Sequence, residues 1–131
     1  MIRYQYQLLR YQPDALSAEF VLMGYVLWCP SQRVFAHYLT PYIERVENFF
    51  AAAPAYFKHT LRQGLKSLDT LLLDFQVPSS VPLLSLESMT GQLLPPNENA
   101  LCFGPQQEAV AVELEQAKAF LQQRIEKYIL L

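Results

Sequence analysis

The segment Phe20-Val21-Leu22-Met23-Gly24-Tyr25-Val26-Leu27-Trp28 follows a carboxylate at Glu19 and is apolar throughout, with one glycine inside it. A run without polar alternation predicts a strand over residues 19–29 that is covered on both faces, and Gly24 marks a bulge or a close approach by another backbone. Ahead of it, Ile2, Tyr4, Tyr6 and Leu8 recur at period two, the pattern of a strand over 2–11 with one apolar face. Gln12-Pro13-Asp14 separates the two strands. Proline fixes its own φ and biases its predecessor toward extended backbone, while the aspartate side chain caps turns and helix starts. Pro30-Ser31-Gln32 supplies a second turn before Arg33-Val34-Phe35-Ala36-His37-Tyr38, so three strands with short links predict an antiparallel meander.

Beyond Tyr38 the period changes. Thr40-Pro41 reads as an N-cap followed by proline at the first helical position, with Glu44 near the positive end of the helix dipole, and a short helix is expected to about Phe50. A longer helix is expected from Pro54 to Phe75, because Phe57, Leu61, Gly64, Leu65, Leu68, Leu71, Leu72 and Phe75 recur at helical spacing. Lys58, His59, Arg62 and Lys66 form a basic face opposite that stripe. Pro78, Pro82, Pro95 and Pro96 make residues 76–100 the irregular part, with a short helix over 84–94, a turn at Asn97-Glu98-Asn99 and a strand at Ala100-Leu101-Cys102-Phe103. A final helix from about Val112 places Leu114, Ala117, Leu121, Ile125 and Tyr128 on one side and Glu115, Lys118, Gln122 and Glu126 on the other. No repeat or linker interrupts the pattern. The expected architecture is one α+β domain over 1–131, an antiparallel N-terminal meander of about three strands packed against a long central helix and a C-terminal helix.

Composition narrows the function classes. The chain has 131 residues, enough for one sizeable core, with 52% hydrophobic, 13% aromatic and 17% charged positions. The charged share is below the usual figure of about 25%, so the apolar surplus is expected to fill the core well and otherwise to leave apolar surface for a partner. Ten basic against twelve acidic residues give a net charge of −2, so bulk attraction to nucleic acid or anionic lipid is not expected. With no signal-peptide pattern and no long apolar segment, the expected location is the cytoplasm, with no membrane partner. Cys29 and Cys102 lack paired metal or redox spacing and are expected as buried, reduced thiols.

The chemical census is short. His37 falls in a predicted strand and His59 on a predicted helix, neither with ligand-spaced neighbours, so no metal, cofactor or catalytic residue is assigned. Gly24, Gly64, Gly91 and Gly104 are dispersed and build no phosphate loop. One polar constellation stands out at the first hairpin. Arg10 and Tyr11 end the first strand, Pro13 and Asp14 occupy the turn, and Glu19 opens the second strand, which would bring Arg10 within reach of Glu19. That pair either fixes hairpin register or, with Asp14, forms a recognition site.

The same residues carry a family resemblance. Leu9-Arg10-Tyr11-Gln12-Pro13-Asp14, then Glu19-Phe20 and Met23-Gly24-Tyr25-Val26-Leu27, and later Leu94-Pro95-Pro96-Asn97-Glu98-Asn99-Ala100-Leu101-Cys102-Phe103, resemble the domain of unknown function family 3037 across nearly the whole chain. Leu22 stands where that pattern commonly has asparagine, so a role for that amide is absent here. The resemblance implies a small bacterial protein, often encoded beside a HipA-like kinase, with no assigned activity. It therefore implies a non-enzymatic interaction or regulatory module with a protein partner such as that kinase, or a second copy of itself, Arg10, Asp14 and Glu19 making the polar contacts. The alternative is a small ligand-binding or hydrolytic enzyme using Arg10, Asp14 and Glu19 with His37 around a cleft. Nucleic-acid binding through Lys58, Arg62 and Lys66 is disfavoured by the acidic balance.

Overall fold

A computed structural model describes residues 1–12, 20–44, 55–74, 86–93 and 101–129. Five strands form one antiparallel sheet: β1 (Ile2–Tyr11), β2 (Val21–Cys29), β3 (Val34–Leu39), β4 (Leu101–Phe103) and β5 (Gln107–Ala111). The order is β3-β2-β1-β4, and β5 also pairs with β1. The expected meander is present as β1-β2-β3, but β1 is not its edge. Its far side is taken by β5 opposite Ile2 to Tyr6 and by β4 opposite Leu9 to Tyr11. Gly104, Pro105 and Gln106 interrupt this edge, and the Gly104 N–H still donates to the Leu8 carbonyl at 2.8 Å.

Gly24 has both of the features that a strand glycine suggests. The β1/β2 register shifts there, Leu9 facing Gly24 and Arg10 facing Leu22, which leaves Met23 as the extra residue of a bulge. A Cβ at Gly24 would collide with the backbone carbonyl oxygen of Tyr38, so β3 can lie close only against glycine.

The registers divide the side chains between two faces. One face carries Gln5, Gln7, Leu9, Gly24, Val26, Phe35 and His37. Helix α1 (Ala55–Asp74) and helix α2 (Leu86–Leu93) cover it, contributing Leu65, Leu68, Leu72 and Leu86 to the core. Helix α1 approaches Leu101 of β4 at Gly64, where a Cβ would stand 3.1 Å from the leucine side chain, and it reaches β3 at Asp69. The other face carries Tyr4, Tyr6, Leu8, Arg10, Tyr25, Leu27, Ala36 and Tyr38, and helix α3 (Leu114–Ile129) lies over β2 on that side with Ala117, Leu121 and Ile125 buried. The fold is therefore α+β with helices on both sides of an antiparallel sheet. No described helix is long and apolar enough to cross a membrane.

Several expectations shift. Strand β2 begins at Val21, after Phe20, and β5 answers to no strand signal in its sequence. Leu71 was expected on the buried stripe of α1, yet it is 44% exposed. It lies next to Leu72 on a helix that touches the sheet along only one narrow line, and a residue 100° away from that line faces outward. The single apolar face expected of β1 is incomplete, since Gln7 on the opposite side is buried as well. Cys29 is buried and Cys102 only half-buried, and both are free thiols. Of the helix expected after Thr40, Ile43 and Glu44 are helical and the remainder lies outside the described residues, as do the turns at Pro13-Asp14 and Asn97-Glu98-Asn99.

Candidate functional site

Of the predicted hairpin constellation, Arg10 and Tyr11 are described together with their side chains. Asp14 and Glu19, and with them Pro13 and the Arg10–Glu19 pairing, lie outside the described residues. Tyr11 ends β1 as a buried core residue, facing Val21 and Leu101 in the ladder. Arg10 itself faces Leu22 on one side and Cys102 on the other. Its guanidinium carbon sits 4.5 Å from the centre of the Phe20 ring, within cation–π range. Gly104 also lies close to it, where a Cβ would stand 3.1 Å from Nε. Ring and glycine thus both neighbour the guanidinium, and among the described residues the buried Arg10 Nε has no hydrogen-bond acceptor. Phe20 keeps 40% of its surface exposed beside it.

Gly104 connects this arginine to a second polar group. The Gln7 amide, 3% exposed, donates from Nε2 to the Gly104 carbonyl at 2.9 Å and accepts at Oε1 from the Thr90 hydroxyl at 2.6 Å. The Glu87 backbone N–H, at the start of α2, donates to Gln106 Oε1 at 3.0 Å. The break between β4 and β5 is therefore tied to α2 at two points. Beside them a cavity of about 230 Å³ is lined by Gln7, Thr90, Gly91, Cys102, Phe103 and Gly104, among others. Every polar atom of Gln7 and Thr90 named here is used inside the protein, so their first role is to close a buried network.

His37 is joined by a residue that no local pattern announces. Its Nε2 lies 2.9 Å from Asp69 Oδ1 on α1, with the imidazole 6% and the carboxylate 51% exposed. The pair anchors α1 to β3 and sits away from Arg10, so the expected cleft joining His37 to the hairpin is not formed by the described residues. Arg62 and Lys66 are exposed on α1. Among the described residues no three of His, Cys, Asp and Glu come together as metal ligands.

On the opposite face the tyrosines meet α3. The Tyr38 hydroxyl donates to Glu126 Oε1 at 2.6 Å, and Arg124 Nη1 donates to the Tyr6 hydroxyl at 3.4 Å. Burial, then the hydrogen bond and charge of Glu126, raise the Tyr38 pKa well above the ordinary 10.0. Burial, then the nearby Glu115 charge, push Tyr25 up to about 12. Burial, then Tyr6, also raises Tyr4. These shifts keep the phenols neutral and mark structural contacts.

Against known families, residues 6–125 match the model described as "Protein of unknown function" (DUF3037). No curated protein and no solved structure matches the chain.

Proposed function

The chain belongs to the DUF3037 family of proteins of unknown function, and from that premise we propose that it is a non-enzymatic interaction or regulatory module of the bacterial cytoplasm with Arg10 as its anchor. The supporting observation is the arrangement around that side chain. A guanidinium packed close to both the Phe20 ring and Gly104 has already given up much of its rotamer freedom, so less entropy is lost when a partner carboxylate or backbone carbonyl docks on it. Arginine and phenylalanine are also both among the residue types enriched at protein interfaces. The family resemblance makes a HipA-like kinase the first partner to test.

Calorimetric titration of the purified protein with such a kinase tests the proposal. Arg10→Ala should weaken binding by at least about tenfold, and Arg10→Lys should fail to restore it because an ammonium cannot reproduce the stacked fork. A kinase that binds Arg10→Ala as tightly as the wild type, or that does not bind the wild type, would overturn the assignment of partner and anchor.

A further inference from the structure

At the other end of β1 a larger hollow of about 480 Å³ opens between the start of the strand, β5 and the β2–β3 turn. Arg3, Gln5, Pro30, Ser31 and Glu108 line it. In the β1/β5 register Gln5 faces Glu108 directly, while Arg3 faces Val110, so Arg3 and Glu108 are diagonal neighbours on one face. Such neighbours lie about 7–8 Å apart, within reach of long side chains. They nevertheless form no ion pair with each other, and neither pairs with another described residue. Both charges border the same hollow, with Gln5 between them. Gln5 Oε1 is buried without a donor, and a half-turn of its terminal amide would exchange that oxygen for the NH₂ end. The rim is a fixed turn: Arg33 adopts φ 53°, its N–H donates to the Pro30 carbonyl at 3.3 Å, and the Ser31 hydroxyl lies 3.5 Å from Cys29 Sγ.

We propose that this hollow is a binding site for a small zwitterion of the free α-amino acid type. Arg3 offers a planar fork of donors suited to a carboxylate, Glu108 accepts from an ammonium, and the Gln5 amide can turn to serve either group. An α-amino acid carries both charges on one carbon, which matches a cation and an anion held apart across one diagonal. A lone anion or lone cation would leave one of the two unanswered. The volume falls in the range of small-molecule sites, about 300–1,000 Å³, and leaves room for the ligand's own side chain. The site is at the far end of β1 from Arg10 and stands or falls independently of the interaction reading.

The test is an NMR titration of the isotope-labelled full chain with each of the twenty standard amino acids, followed at the Gln5 side-chain amide, the Arg3 guanidinium and the Ser31 N–H. At least one free amino acid should give saturable shifts at all three positions, and its N-acetyl and C-amide forms should bind at least about tenfold more weakly. Arg3→Gln should then remove the preference for the free carboxylate, and Glu108→Gln the preference for the free amine. Both positions are exposed, so an otherwise unchanged spectrum will show that the variants are folded. Absence of saturable shifts at millimolar concentration overturns the proposal. So does equal binding of the blocked forms, or saturation that maps elsewhere.

Discussion

The two faces of the sheet are closed in different ways. One is covered, among the described residues, by two helices that bring aliphatic side chains, and the polar atoms beneath them at Gln7 and Thr90 are used in short buried contacts. The other is covered, among the described residues, by α3 alone, over a layer in which Tyr4 and Tyr6, and Tyr25 and Tyr38, stack as tilted pairs at 5.9 Å. Tyrosine supplies a large apolar body and a hydroxyl at its far end, so one helix can both cover this face and meet its hydroxyls, accepting from Tyr38 at Glu126 and donating to Tyr6 from Arg124. The contrast shows that a single sheet can be sealed either by matching volume or by matching polar tips.

The largest effect should come from opening the tyrosine face. Leu121→Ala is expected to cost about 2–5 kcal/mol in denaturant unfolding, since Leu121 is fully buried in the one helix that covers this side among the described residues. A loss below about 1 kcal/mol would mean that α3 is not what closes it. Next, Gln7→Leu should cost about 1–3 kcal/mol, because the Gly104 carbonyl loses its donor and the Thr90 hydroxyl the nearer of its two acceptors, the Glu87 carbonyl at 3.2 Å remaining. The double variant with Thr90→Val should be less destabilised than the sum of the single changes if the two act as one network.

The smallest effect separates the faces by pH. A phenol whose folded pKa is raised keeps its proton after the unfolded chain has lost its own. The stability it contributes is therefore complete below the ordinary value of 10.0 and declines as pH rises through the folded value. Stability should fall from pH 10 upward through about 12 for Tyr25, with Tyr38 adding to the decline. Tyr38→Phe should cost about 1 kcal/mol at neutral pH and flatten that decline, whereas Gln7→Leu should leave its slope unchanged. An identical alkaline slope in Tyr38→Phe would show that the Glu126 contact does not set it.

What could be read in the sequence was what acts locally. The apolar run of β2 announces a strand buried on both sides, and Gly24 within it announces a bulge or a close backbone approach, of which the structure has both, the approach being that of β3. The leucines at 65, 68 and 72 and the pattern of α3 are equally plain. Strand β5 was not legible: Gln107 and Glu108 open it, and its side chains stay largely exposed because it pairs along one edge. The polar ties were hidden for a different reason. Gln7 meets Gly104 and His37 meets Asp69 across long stretches of chain, and a pairing of that kind leaves no periodicity in either segment. At the candidate site, residue type pointed to Arg10, but nothing local pointed to Gly104 as the surface against which it rests.

The divided edge formed by β4 and β5 also has a history in time. During synthesis β1 and β2 leave the ribosome together and can pair, while the strands that cover the other side of β1 are made only in the last third of the chain. At about 5–20 residues per second, β1 spends several seconds with a row of unsatisfied backbone groups open to any neighbouring strand. Chains stalled before residue 101 should therefore be cut within β1 by added protease, and chains stalled after residues 101–111 have emerged should resist; equal protection of both would mean that β1 is shielded earlier in synthesis. The last strands made are thus the ones that close off the first to a nascent-chain chaperone.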